Sequence, residues 1–307
     1  MRRLIMAALL GVLLAGFCPA GTSAFQVEDA EGRLHALAAP ATRIISFYPA
    51  HTRNLVEMGA GATIVAVGRS DEYLPDLPRL SYRDDPERML ALNPDLVLIR
   101  PMISRGYPEL TTQMERVGVR VLSLQPRSME EMFAYWRTLG RVIGRSAAAE
   151  QMIARFTEEL NGIRQRLEAV PEASRQRVFF EARHASMRTF AAGSIAAFVL
   201  ESAGGVNIAV DAPTVRTTNI ALYGKERLLA RAEEIDVYLA QQGRMNPITL
   251  SAIYEEPGFQ VIRAVRKQQV YLVPERLVAR PTIDLLEGIR LIHHILYRQA
   301  VSPEIRK

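Results

Sequence analysis

Two α/β lobes with Rossmann-like parallel sheets, joined by one long interlobe helix and separated by a ligand cleft, are what this sequence predicts. Three observations carry the prediction. Short aliphatic runs alternate with helical periodicities over the first half, an unbroken helical period follows, and the alternation then resumes. Runs buried on both faces and interleaved with helices read as βαβ units of a parallel sheet.

In the first half the strand-like runs are "RIISFYP" (43–49), "TIVAVG" (63–68), "DLVLIR" (95–100) and "VRVLSLQ" (119–125). Between and after them, "PELTTQMERVG" and "SMEEMFAYWRTLGRVIG" have helical spacing. Ser146 then reads as an N-cap, and Met152, Ile153, Phe156, Leu160, Ile163 and Leu167 recur at spacings of three and four up to Val170. That helix would be roughly 37 Å long at 1.5 Å per residue, and Pro171 ends it. Beyond it come strands "RVFFEA" (177–182), "IDVYLAQ" (235–241) and "QVYLVP" (269–274). The accompanying helices are "SIAAFVLESAGG" (194–205), "GKERLLARA" (224–232) and a last one from about Pro281 to Tyr297. The predicted organisation is a leader at 1–24, an α/β lobe at 25–144, the helix at 145–170 and a second α/β lobe at 171–307.

The leader, "MRRLIMAALLGVLLAGFCPAGTSA", has two arginines, an apolar run and a small-residue stretch, the layout of a secretory signal cleaved near Ala24. Its apolar run falls short of the roughly 20 residues of a spanning helix. The only cysteine, Cys18, lies within it, behind Phe17 where a lipoprotein carries a small residue, so lipid anchoring is not expected. The mature chain then has no thiol, which excludes disulfides and Cys-based metal or redox sites. Removing Arg2 and Arg3 lowers the basic count from 38 to 36 against 33 acids, about +3, and no charge block reads as a nucleic-acid arm.

One motif occurs twice. "PERMLA" (86–91) and "KERLLA" (225–230) each open a short helix followed by a turn, an Asp and a strand. Burial explains Leu90, Ala91, Leu229 and Ala230. For Glu87 and Glu226 the structural account is attraction of an acid to the helix N-terminus; the functional account needs a partner.

The mature start, with Asp29, Gly32, Arg33, Arg43, Ile44, Ser46, Pro49, Ala50 and Thr52, resembles the class III periplasmic binding proteins, receptors of ABC importers for iron-siderophores, haem and cobalamin. Asn54, preceded by Arg53, lies near the position where that family carries Glu. "NPDLVLIR", "GVRVLSL", "GGVNIA" and "ARPTIDLLEGI" extend the likeness in order along the chain. The resemblance implies a periplasmic, non-enzymatic monomer that hands an iron or cobalt chelate to permease subunits and their cytoplasmic ATPase. It also implies limited closure about a stiff helix, with Glu87 and Glu226 docking one lobe each on the permease, by rim charges that steer and orient.

Ligands of open α/β sheets bind beyond the carboxyl ends of the strands. The residues expected there are Tyr48, His51, Arg69, Arg100, Met102, Tyr107, Glu181, His184, Met187, Arg188, Arg216, Asn219 and Arg280. Concentrated arginine favours an anionic ligand, and aromatic rings would cover a bulky chelate. Any one of these arginines could equally be solvated or paired with a neighbouring acid. In "FEARHASM", Glu181, His184 and Met187 at spacings of three suit a metal centre, or else an ordinary hydrogen bond and a packed methionine. Haem receptors of the family offer Tyr or His from loops, which suits Tyr48, Tyr73, His51 or His184. The alternatives are a receptor for a free metal ion or an oxyanion such as molybdate, a sensor without transport, and an exported metal-dependent enzyme; against the last, no His-Glu-x-x-His, Gly-x-Ser-x-Gly or phosphate-cradling glycine loop is present.

Overall fold

The computed structural model describes residues 24–168, 170–216 and 218–297; the leader up to residue 23, with Cys18, lies outside them. The described chain begins as a hairpin, β1 (Phe25–Glu28) antiparallel to β2 (Leu34–Leu37). Its turn is held by Asp29, which accepts from the backbone N–H groups of Glu31 and Arg33 at 2.9 and 3.0 Å.

The first lobe then runs β3 (Ile44–Ser46), α1 (Pro49–Glu57), β4 (Ile64–Gly68), β5 (Arg79–Leu80), α2 (Pro86–Leu90), β6 (Leu96–Ile99), α3 (Pro101–Gly106), α4 (Pro108–Arg116), β7 (Arg120–Ser123) and α5 (Met129–Val142). The sheet order is β5-β4-β3-β6-β7, all parallel. Proline stands in the first turn of α1, α2, α3 and α4, where its missing N–H costs nothing. For that reason "RIISFYP" is a shorter strand than its composition predicts, and Phe47 and Tyr48 leave the sheet at its carboxyl end. Every side chain of β6 is buried, as a strand covered on both faces requires.

The long helix α6 (Ser146–Leu167) has 22 residues and is about 33 Å long. Arg145, not Ser146, occupies its cap position, and no side chain caps it. The turn from α5 leaves no room for a cap: a Cβ on Gly140 would lie 2.6 Å from that of Ala149, and Gly144 takes a φ of +66° to reverse the chain.

The second lobe contains β8 (Arg177–Arg183), β9 (Arg188–Phe190), α7 (Ile195–Ser202), β10 (Val206–Asn207), β11 (Ile220–Leu222), α8 (Lys225–Ala230), β12 (Val237–Gln242), α9 (Leu250–Tyr254), α10 (Arg263–Arg266), β13 (Val270–Pro274), α11 (Glu275–Val278) and α12 (Leu285–Tyr297). Its order is β11-β9-β8-β12-β13, with β10 beside β8. The predicted strands β8, β12 and β13 are parallel, the unpredicted β10 pairs parallel with β8, and β9 turns back antiparallel to β8 and β11 antiparallel to β9. The last helix starts four residues later than its periodicity predicts, because Pro281 to Asp284 form a turn that faces the other lobe.

One apolar core joins the lobes. It includes Trp136 of α5, Phe156, Leu160 and Leu167 of α6, Val199 of α7 and Ile289 and Ile292 of α12. Trp136 and Phe156 meet edge to face with centroids 5.6 Å apart, a favoured aromatic geometry. Polar bonds cross the same boundary. The Pro281 carbonyl accepts from Trp136 Nε1 and from Asn54 Nδ2, both at 3.0 Å. Asp284 accepts from Arg53 Nε at 3.0 Å and from the Tyr73 hydroxyl at 3.2 Å. Arg53 and Asn54, the departure from the family's pattern, are thus spent on joining the lobes.

The helix α12 approaches α11 so closely that a Cβ on Gly288 would overlap the Leu277 carbonyl oxygen. A backbone atom cannot yield as a side-chain tip can, so Gly288→Ala is expected to cost about 3 kcal/mol. Urea unfolding checks this; a loss within experimental error of zero would show that the two helices separate freely.

Candidate functional site

The carboxyl ends of the parallel strands in both lobes face one another. At the end of β3, Tyr48 takes the position before α1, and at the end of β6, Arg100 takes the position before α3. The Arg100 guanidinium lies 4.3 Å from the centroid of the Tyr48 ring, a close cation–π contact. Arg100 Nη2 also approaches Met102 Sδ at 3.2 Å, and its Nε is buried with no protein partner. Met102 itself is 53% exposed. Burial pushes the Tyr48 phenol up, against the pull of Arg100 and Arg280.

The second lobe contributes Arg280 and Glu275. Arg280 is only 8% exposed; its Nη1 donates to Glu72 of the first lobe at 2.6 Å and its Nε lies 3.7 Å from Glu275. Glu275 Oε2 is a second buried polar atom with no protein partner. Gly243, after β12, lets this carboxylate in, since a Cβ there would overlap it. Tyr73 flanks the group, its phenol pushed up to about 12 by burial and by Asp284.

At the other end of the boundary lies a cavity of about 300 Å³ lined by Arg127, Ser128 and Glu131 of the first lobe and by Gly193, Ser194, Thr214 and Asn219 of the second. Ser128 caps α5 and Ser194 caps α7, so two helix N-termini open towards it. Arg127 and Ser194 were not among the expected residues. Their sequence signal is local, a Ser preceding a helical period and, for Arg127, a position directly after the run that became β7.

Several expected residues are placed elsewhere. His51 is fully buried: its Nε2 donates to the Ile99 carbonyl at 3.1 Å, and its Nδ1 then accepts from the Tyr135 hydroxyl at 2.7 Å. Burial lowers its pKa to about 3, so it is neutral and closed to a ligand. Arg69 is paired with Asp84 at 2.9 Å. The Tyr107 ring packs tilted against Tyr82 with centroids 4.8 Å apart, and its hydroxyl accepts from Arg83 Nε at 2.7 Å. Met187, with a φ of +40°, packs into the second lobe's core beside Phe179 and Leu228. Arg188 is half-buried with an unpartnered Nε, and Arg216, at a φ of +52°, is exposed. His293 contacts the Ala203 carbonyl at 3.2 Å.

Glu181 and His184 do meet, but under the surface. Fully buried Glu181 accepts from Asn246 Nδ2 at 2.8 Å, from His184 Nδ1 at 2.7 Å and from the Tyr238 hydroxyl. These bonds satisfy the carboxylate without a metal, and no metal-holding group of three His, Cys, Asp or Glu exists among the described residues. The reading of the pair as a metal centre is therefore corrected to a buried hydrogen-bond network.

The family model of the periplasmic binding proteins matches residues 44–277, more than half of the chain. The chain belongs to that family. An uncharacterized ABC transporter substrate-binding lipoprotein of Bacillus subtilis, YvrC, is 22% identical over 278 residues, covering 88% of this chain and 85% of the relative. Among solved structures, a possible iron-binding periplasmic solute-binding protein of Staphylococcus epidermidis aligns with a TM-score of 0.71 at 22% identity, over 85% of this chain and all of the other. The periplasmic haem-binding protein RhuT of Roseiflexus aligns with a TM-score of 0.70 at 20% identity, over 84% and 98%. At these identities the structures establish the two-lobe fold.

The hydrogen bond that His184 donates to the Glu181 carboxylate raises the His184 pKa above its ordinary 6.5, against the opposing effect of burial. A raised folded-state pKa contributes stability that is complete below about 6.5 and is lost as the pH rises through the folded value. The wild type should therefore lose stability over that interval and His184→Gln should lose less, read from urea midpoints at each pH. Parallel pH profiles would remove His184 from the stabilising network.

Proposed function

We propose that the protein is the extracytoplasmic receptor of an ABC importer, capturing a metal chelate between its lobes and passing it to membrane permease subunits driven by a cytoplasmic ATPase. Iron-siderophore is the leading ligand, with haem or a corrinoid next. The protein acts as a monomer exported by its leader, without catalysis and without a catalytic cofactor. The observation that carries this reading is the set of buried polar atoms at the strand ends, Arg100 Nε, Arg188 Nε and Glu275 Oε2, that no protein group satisfies. Buried polar groups normally find partners; Arg100 follows β6, Arg188 opens β9 and Glu275 follows β13, at strand ends of the kind beyond which ligands of such sheets bind. Aromatic Tyr48 and the thioether of Met102 beside them suit an organic chelate better than a bare ion.

The two repeated glutamates support the same reading. Glu87 in α2 and Glu226 in α8 are both exposed, and neither carboxylate is ion-paired among the described residues. By contrast, the adjacent arginines are engaged, Arg88 near Asp84 at 3.6 Å and Arg227 with Asp211. Each lobe thus presents one acid to a permease, suited to arginines there.

Absorption spectroscopy and elemental analysis of protein isolated under native conditions test the ligand. An iron or cobalt chelate, sorted into haem, siderophore or corrinoid by its bands, is the expected result; a bound colourless oxyanion such as molybdate would replace this reading with the anion receptor. For docking, Glu87→Gln with Glu226→Gln should abolish uptake with ligand affinity unchanged. Loss of affinity instead would put the two acids in the ligand site.

A further inference from the structure

The Glu181 network does not end at His184. The second ring nitrogen, Nε2, lies 3.4 Å from Glu256 Oε2, and the other oxygen of Glu256 pairs with Lys225 Nζ. Lys225 is the first residue of α8, directly before Glu226. The Phe259 ring lies beneath the chain, edge-on to His184 at 6.1 Å and 5.9 Å from Lys225 Nζ. Alternating charges therefore run unbroken from the fully buried end of β8 to the start of the helix that bears the exposed acid.

The two repeated helices differ in the way this arrangement explains. In α2 the side chain of Asp85 caps the helix, accepting from the Glu87 N–H at 3.0 Å, so the orientation of Glu87 is set locally. In α8 the cap position is Gly224, at a φ of +86°, and no side chain caps the helix. A six-residue helix with no cap has little intrinsic stability. What holds its start is the bond from Gly224 N–H to the Met187 carbonyl at 3.0 Å and the Lys225–Glu256–His184 chain. Both lead to the turn between β8 and β9, whose residues Arg183 and Arg188 stand at the ligand-facing strand ends.

We propose that His184 is a positioning residue for Glu226, acting through Glu256 and Lys225, so that the second lobe's docking acid is held by the turn at the ligand-facing end of β8. The proposal rests on the docking reading of Glu226. Protonated His184 donates to both Glu181 and Glu256; neutral, it has one N–H and must release one of them. Glu181, with three donors in all, is the better partner, so the link to Glu256 is the one that weakens. The groups facing His184 are Glu181 of β8, Glu256 between α9 and the Phe259 turn, and Asn246, whose side-chain oxygen accepts from the His184 backbone N–H at 2.8 Å. Behind them stand the Tyr238 hydroxyl of β12 and Lys225 of α8.

Proton–nitrogen correlation spectra of the intact mature chain, recorded through a pH titration without added ligand, test this. The Glu226 backbone amide should shift with the same midpoint as the His184 ring. In Glu256→Gln the ring should still titrate while the Glu226 shift falls to less than half. A Glu226 amide with no inflection at the His184 midpoint in the wild type would overturn the proposal, as would an undiminished response in Glu256→Gln. Failure of the docking reading is separately visible, because the Glu87 and Glu226 variants would then support uptake whatever the amide reports.

Discussion

The Pro281 carbonyl is the point on which the arrangement of the two lobes depends. It accepts from an indole and a carboxamide of the first lobe, both donors otherwise buried. A buried donor left unpaired costs about 1–3 kcal/mol, so neither Trp136 nor Asn54 can withdraw without a replacement. The turn that places this carbonyl also places Arg280 over Glu72 and Asp284 against Arg53. Three contacts from the five residues 280–284, backed by the shared core along α6, resist wide opening.

The same frame consumes much of the charge that a count of residues assigns to the cleft. Arg69 and Arg280 are neutralised by acids, while Arg100, Arg188 and Arg216 make no ion pair among the described residues. The unpaired cationic charge is consequently smaller than the composition implies, and Arg100 lies against Tyr48 and Met102. The buried acid of the second lobe, Glu181, is different in kind. It accepts from His184, Tyr238 and Asn246 in a network that continues to Glu256 and Lys225, and a fully satisfied network fixes one conformation because partial satisfaction is costly.

The alternation of strands and helices and the long helix were legible in the sequence, because each is a matter of spacing within some 20 residues, and the pairing of "PERMLA" with "KERLLA" was legible as a direct likeness of two segments. Apolar side chains at those spacings must be buried on one face or on both, whatever surrounds them. The proline at the start of four helices is equally local, and it accounts for Tyr48 leaving the sheet at the end of β3.

What only the tertiary structure decided is which polar residues face each other. His51 and Tyr48 lie three positions apart, yet α1 turns one into the core against Tyr135 and leaves the other at the cleft. Asn54 and Arg53 gained their role from residues more than 220 positions away, and His184 gained Glu256 and Lys225 from separate elements. The sequence alone determined the elements and their two-lobe order, since hydrophobic periodicity is set by near neighbours. Partners of buried polar groups are set by the approach of distant segments, and that distance is information a linear chain does not display.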